Sequence, residues 1–453
     1  MKVCTLAILF GLFAFANCAE DRNSIFSYLA TKSGYRFAAN LDINDVSQEE
    51  GACPQKIWMF LRHGTRNPSK GDINNMNGRL LEIKNIILNT NRNSIRSLDT
   101  TQLDQLENWS PAVTDIAYQQ ILTPEGRLEN EELSQRMQAR FPSLFPNTFD
   151  NSTYWIMHTD SDRTRDSATH FATGLFGADQ LNEVYFPEPT YEDLKTLEFY
   201  ELCTKWIEDI EGNPESLIER DLFEASATVQ SAVESVNQAV GLTTVQSAVE
   251  SVNQAVGLTN ELSLSDVMIM YKTCSFESSW FRNSSSPWCM AFDLDSIRVI
   301  AYAEDLEYYW VDGYGFELNY KQTCPAIIDV VNFFEDDESD RTTTVYFTHS
   351  GAVIKLIARL GLYFDEEPLL HTTFNPEDPK YWQISKVGSF LTNIALILHD
   401  CGDSKMVSVR HNEHVVRLPA CPDSDLCDFE TFKAYFDDSI NNCNFEEMCG
   451  LLK

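Results

Sequence analysis

The stretch Arg62-His63-Gly64-Thr65-Arg66-Asn67-Pro68 sets an imidazole between two guanidiniums and next to a glycine. Cleaving a phosphate monoester needs a nucleophile, cations for the oxygens of the transferring phosphoryl group, and an acid for the leaving oxygen. This stretch supplies the first two. Flanking positive charge favours the neutral imidazole, which is the nucleophilic form. Arginine's planar fork matches phosphate oxygens, and Gly64 lets backbone approach a phosphate closely. A lone Arg-His-Gly reads as a surface turn. The full seven residues at a strand end read as a phosphate site.

Such a cluster needs elements to hold it. Four short apolar runs have the composition of buried strands: Ile57 to Leu61, Tyr154 to Met157, Thr344 to Phe347 and Ile394 to Leu398. The first three run directly into polar loops, RHGTRNP, HTDSDRTRDS and THSG. Ligands of open α/β sheets bind beyond the carboxyl ends of the strands, so these loops are expected at one sheet edge. Helical stretches follow each loop, as a doubly wound sheet requires. Ala352 to Leu360 carries apolar positions at helical spacing and stops at Gly361, a C-terminal cap. Thr123-Pro124-Glu125 is a helix start, with threonine capping and proline in the first turn. MVSVRHNEHVVRLPAC alternates around Asn412-Glu413 and reads as an edge hairpin.

The middle, roughly Tyr191 to Asp266, is acidic and helical in pattern. It holds an identical tandem pair, Thr228 to Thr243 and Thr244 to Thr259, each TVQSAVESVNQAVGLT. Two copies are too few for a solenoid. Valine and alanine at three-four spacing make each copy one short helix, and no catalytic role follows from it.

The chain has 453 residues, 43% of them hydrophobic, which is ample for a packed core with a large insertion. Its 68 acidic residues against 34 basic give a net charge of -34. That surface repels nucleic acid and anionic membrane, which excludes both as expected partners. A local basic pocket still attracts a phosphate, because solvent screens charges beyond about 8 Å at physiological salt. Lys2 followed by the apolar stretch Val3 to Ala16 predicts a signal peptide over residues 1–19, cleaved after Cys18 or one residue later. No later apolar run is long enough to span a membrane, and the closing CNFEEMCGLLK is neither a lipid-anchor tail nor a retention signal. Ten cysteines remain once Cys4 and Cys18 are removed, an even number suited to an oxidising compartment. With no CxxC pair and the histidines far from the cysteines, no metal site is expected. Asn108, Asn151 and Asn283 lie in glycosylation sequons, so the expected location is extracellular or the secretory lumen.

With these motifs in view, the chain resembles the histidine acid phosphatases, specifically the multiple inositol polyphosphate phosphatase branch. RHGTRNP matches that family's RHGxRxP, and HTDSDRTRDSATHF is similar to the segment supplying a further arginine, here Arg163. LTPEG with Arg136 and FPSLF, the stretch SPWCMAFDLDSIRVIAYAEDLEYYWVDGYG, and HNEHVVRLPAC extend the similarity from about Phe26 to Cys449. The resemblance implies an α/β fold of the phosphoglycerate mutase-like, histidine phosphatase type: a mainly parallel sheet with helices on both faces and an inserted helical cap. The expected divisions are a first core part over 20–185, the cap over 186–304 including the repeat at 228–259, and a second core part over 305–453. It implies that His63 attacks phosphorus and becomes a phosphohistidine, while Arg62, Arg66, Arg163 and His349 hold the phosphoryl oxygens, with no cofactor. Read from the residues alone, Arg163 could equally pair with Asp160, Asp162 or Asp166, and His349 could be a satisfied core histidine. The disulfides implied by the family pattern are Cys53–Cys401, Cys274–Cys289 and Cys203–Cys443.

One departure bears on function. The family's second histidine is followed by an acid, directly or one residue on, that protonates the leaving oxygen. Here Ser350 and Gly351 follow His349, and no carboxylate comes before Asp365. Losing a general acid costs ~10²–10⁴ in rate. Asp72 and Asp160 are the replacements the sequence offers. The expected function is a secreted phosphomonoesterase acting on inositol polyphosphates or other small phosphate monoesters. The alternative is a phosphate-ligand-binding relative with impaired turnover.

Overall fold

The computed structural model describes residues 24–39, 53–93, 98–242, 261–282, 284–400, 402 and 404–451. The expected signal peptide, Asn283, Cys401 and the second repeat copy lie outside these residues. The four apolar runs are strands β1 (Pro54–Arg62), β2 (Tyr154–His158), β3 (Thr343–Thr348) and β4 (Asn393–Asp400). They are joined by β5 (Lys405–His411), β6 (His414–Val416) and the short β7 (Cys427–Asp428). The order is β2-β3-β1-β4-β5-β6, with β7 on β5. The described helices include α1 (Pro124–Arg140), α2 (Asp162–Phe176), α3 (Tyr191–Leu197), α4 (Ala227–Ala239), α5 (Leu294–Val311), α6 (Cys324–Glu335) and α7 (Ser350–Arg359).

The sheet is mixed. β2, β3 and β1 run parallel, whereas β4, β5 and β6 follow as antiparallel neighbours. The parallel half is the half that carries the polar loops. The antiparallel half follows from a connection too short for a crossover: Asp400 and Lys405 pair across a tight turn. The Asn412-Glu413 hairpin forms as expected, with both residues at positive φ (48° and 71°), the geometry a two-residue turn needs. Glu413 bears that strain because its buried carboxylate accepts from Arg136, Arg140 and Tyr35.

The unbroken apolar run in β1 reflects burial on both faces. Trp58 and Phe60 pack with Tyr346 and with residues of α6 and α7, including Ile327, Val330, Val353 and Ile357. Ile57, Met59 and Leu61 point the other way, onto Leu133, Met137, Ala168 and Phe171 of α1 and α2. Each such side chain contributes about 1.5–3 kcal/mol when fully buried. Between Ala178 and Val311 every described element is helical. In the first repeat copy, α4 buries Val229, Ala232 and Val236. Thr123 caps α1 by accepting from the Gly126 N–H, and Gly361 takes the left-handed turn after α7 at φ 74°.

Four disulfides are described: Cys203–Cys449, Cys274–Cys289, Cys324–Cys443 and Cys421–Cys427. Cys274–Cys289 is as expected. Cys203–Cys443 is corrected. The helix Asp437–Asn441 lies on α6, which delivers Cys443 to Cys324. The next helical turn, Phe445–Met448, then brings Cys449 back to Cys203. This set suits an oxidising compartment. Among the described residues no helix is long and apolar enough to cross a membrane.

Candidate active site

Strand register brings the three loops together. Arg62 lies beside Thr348, and His158 beside Phe347, so the loops after β1, β2 and β3 leave the sheet at one edge. Backbone bonds continue past the strands: His63 N–H donates to Thr348 O at 2.9 Å and Thr159 N–H to Phe347 O at 3.1 Å.

His63 is 3% exposed, with its ring 5.6 Å from that of His349. Its Nδ1 lies 2.9 Å from the Gly64 carbonyl. A carbonyl only accepts, so Nδ1 carries the proton and Nε2 is left as the lone-pair nitrogen. Burial first, then the charges of Arg62, Arg66, His349 and Arg163, hold the imidazole well below the ordinary histidine range. The neutral form expected from flanking guanidiniums is therefore produced chiefly by desolvation, with the guanidiniums second.

Gly64 serves a different neighbour from the one its sequence context suggests. A Cβ there would meet Asn130 Nδ2 at 2.6 Å and Gly126 O at 2.7 Å. The glycine lets the loop after β1 lie against α1. Its N–H is taken up by Ser167 Oγ at 3.0 Å, and Thr65 donates to Glu129 Oε2 at 2.8 Å. The loop is thus fixed from below by α1 and α2.

Three guanidiniums surround the two imidazoles. Arg62 Nη1 donates to the carbonyls of Thr31 and Gly388, both at 2.6 Å, and its fork lies over the Phe390 ring at 4.5 Å. Arg66 donates to Asn67 O at 2.8 Å. Arg163 donates to Gln120 Oε1 at 3.1 Å and to His349 Nδ1 at 3.2 Å. Burial and mutual repulsion lower Arg62 to about 9 and Arg66 to about 10. Burial also lowers Arg163. The acids near Arg163 in sequence are engaged elsewhere or point to solvent. Asp162 pairs with Arg165, Asp166 with Arg127, and Asp160 is exposed. Among the described residues none of the three arginines has an ion-pair partner, and the Nε donors of Arg62 and Arg163 are buried without a hydrogen bond. Buried, uncompensated positive charge of this kind calls for an anion.

His349 belongs to the cluster and is not a core histidine. Because Arg163 donates to its Nδ1, its proton sits on Nε2, which faces Glu198 Oε1 and Thr159 Oγ1, both at 3.1 Å. Burial lowers it below the ordinary histidine range despite the Glu198 contact, so it is neutral at pH 7. Glu198 was not singled out by sequence. It sits among many acids, and no local motif marks it. Asp72 bonds Ser69 and lies 3.8 Å from Lys272, at the start of helix Lys70–Asn77. Neither Asp72 nor Asp160 contacts His349. The arrangement can bind a phosphoryl dianion and offer it a neutral imidazole nitrogen.

The family model described as histidine phosphatase superfamily (branch 2) matches residues 55–418. Multiple inositol polyphosphate phosphatase 1 of Drosophila melanogaster is 27% identical over 402 residues, 86% of this chain and 81% of that protein. The protein of the same name from Homo sapiens is 23% identical over 488 residues, 99% of this chain and 94% of that one. In fold, the chain is similar to the phytase from D. castellii, with a TM-score of 0.69 at 16% identity, covering 98% of this chain and 92% of that one. Bifidobacterium longum multiple inositol polyphosphate phosphatase in complex with inositol hexasulfate gives a TM-score of 0.64 at 16% identity, covering 91% and 98%.

Proposed function

We propose, because this chain belongs to the histidine phosphatase superfamily (branch 2), that it is a secreted phosphomonoesterase whose His63 accepts the phosphoryl group. The observation that carries this reading is the setting of His63: buried, with Nδ1 tied to the Gly64 carbonyl, beside three guanidiniums that have no ion-pair partner among the described residues. Arg62, Arg66 and Arg163 take the phosphoryl oxygens, and His349 packs beside them with its ring 5.6 Å from that of His63. Nε2 of His63 displaces the alcohol, and water then releases phosphate from the phosphohistidine. Inositol polyphosphates are the substrate class suggested by the relatives' names. The test is phosphate release from inositol and aryl phosphates by wild type beside His63→Ala, with trapping of an acid-labile, base-stable adduct. An adduct that persists in His63→Ala refutes the assignment.

Processing of the first 19 residues and glycosylation at Asn108, Asn151 and Asn283 belong to the same proposal. Asn108 and Asn151 are exposed, as carriers of glycan must be. Intact mass of secreted material checks both. The second reading, ligand binding without turnover, rests on Ser350-Gly351 after His349. It predicts tight phosphate binding and no release above the His63→Ala background.

A further inference from the structure

The segment after His349 lacks an acid, yet a carboxylate reaches that histidine from elsewhere in the chain. Glu198 Oε1 accepts from His349 Nε2 at 3.1 Å, and its side chain is 21% exposed, so it also meets solvent. Its other oxygen has no hydrogen bond to the described residues. Glu198 closes α3: its N–H donates to Leu194 O at 2.8 Å, and the chain bends there before helix Phe199–Leu202. Its neighbours Leu197 and Phe199 are fully buried, which leaves Glu198 as the residue the bend turns outward. The bend is tied to the catalytic edge. Thr348, the residue before His349, donates its hydroxyl to Leu197 O, the residue before Glu198, at 2.6 Å. The bond between these two segments therefore holds His349 and Glu198 in register.

Three other carboxylates are committed, and the exposed Asp160 makes no contact with His349. Asp312 lies 3.5 Å from where a Gly351 side chain would start, but it forms a buried ion pair with Lys355, which is 0% exposed. Protonating it would leave that ammonium unpaired in the interior. Asp365 accepts from the N–H groups of Tyr381 and Trp382, each at 3.0 Å. Asp72 is held by Ser69 and lies close to Lys272.

Building on the phosphohistidine reading, we propose that Glu198 is the acid that protonates the leaving oxygen. As the His63 Nε2–P bond forms and the P–O bond to the alcohol breaks, the proton on Glu198 passes to the departing oxygen. In the second step water attacks phosphorus, its proton returns to the Glu198 carboxylate, and the P–N bond breaks to free phosphate and neutral His63. His349 orients the carboxyl group through its Nε2–H.

The test compares the full disulfide-bonded chain with Glu198→Gln, Glu198→Asp and His63→Ala on 4-nitrophenyl phosphate and glycerol 2-phosphate. A phenolate leaves without an acid, and an alkoxide does not. In Glu198→Gln the ratio of kcat/KM for aryl over alkyl ester is expected to rise by ~10²–10⁴ over wild type, the range general-acid catalysis commands. Glu198→Asp, which keeps an acid, falls between. An unchanged ratio, whether activity drops or not, overturns the role of Glu198. So does a wild type that already cleaves only the aryl ester. If His63→Ala retains wild-type turnover on both esters, the phosphohistidine reading fails first and takes this inference with it.

Discussion

Glu129 offers a test of how the loop that carries His63 is held. Its carboxyl is 2% exposed and accepts from Thr65, two residues beyond His63. Burial, then repulsion from Glu125, raises it to about 8, against weaker opposing effects of Thr65, Arg36 and Arg282. Below about pH 4.5 the group is protonated in folded and unfolded chains alike. Between about 4.5 and 8 the unfolded chain has released a proton that the folded chain keeps, so stability falls by about 1.4 kcal/mol per pH unit from this group. Glu129→Gln keeps the shape and the acceptor for Thr65 but cannot ionise. The difference in unfolding free energy between wild type and variant should therefore shift in the variant's favour by ~4–5 kcal/mol on going from acid to pH above 8. Urea unfolding of both proteins at several pH values, disulfides intact, measures it. Wild-type activity should also decline reversibly above about pH 8, as Thr65 loses its neutral partner, with less decline in Glu129→Gln. A stability difference that stays constant with pH refutes the reasoning.

Gly64→Ala forces backbone to move, because its Cβ falls 2.6 Å from Asn130 and 2.7 Å from Gly126 O. It should cost ~1–3 kcal/mol and, through a displaced His63, ~10²-fold in kcat/KM, read by thermal unfolding and initial rates. Lys355→Met strands the Asp312 carboxylate and should cost ~3–5 kcal/mol, with the double variant Lys355→Met/Asp312→Leu regaining most of it in urea unfolding. Deleting 244–259 removes one repeat copy, and the variant should be secreted and melt within a few degrees of wild type. Loss of secretion would show that the copy packs into the cap.

Arg62, His63, Arg66, Arg163 and His349 were legible because each sits just past an apolar run, and a sheet brings such run ends to one edge. What decided their chemistry was less visible. The proton position on His63 comes from its own loop carbonyl, and the fit of Gly64 comes from Asn130 and Gly126, more than 60 residues away. Glu198 was hidden because an acid in an acidic stretch carries no signal. Its contact with His349 exists only through the Thr348–Leu197 bond and the burial on either side of it. The parallel strands followed from continuous apolar runs, whereas the antiparallel half depended on short turns whose partners the pattern left open. The Cys203–Cys443 pairing failed for the same reason: Cys443 and Cys449 lie six residues apart in the tail, and packing on α6 takes Cys443 to Cys324.

The Cys203–Cys449 bond spans 246 residues and joins a point five residues past Glu198 to the tail. Lys205 N–H donates to Cys449 O, and Lys195 pairs with Glu446, so the same tail grips both flanks of the bend that carries Glu198. During synthesis, β1 and His63 are made long before this clasp can close. On the roles proposed above, a growing chain holds His63 before Glu198 is anchored, and the clasp joins the two only after residue 449 has emerged and been oxidised. With Glu198 as the acid proposed above, the clasp would tie maturation of the site to an oxidising compartment, and a chain folded under reducing conditions would be expected to favour easy leaving groups.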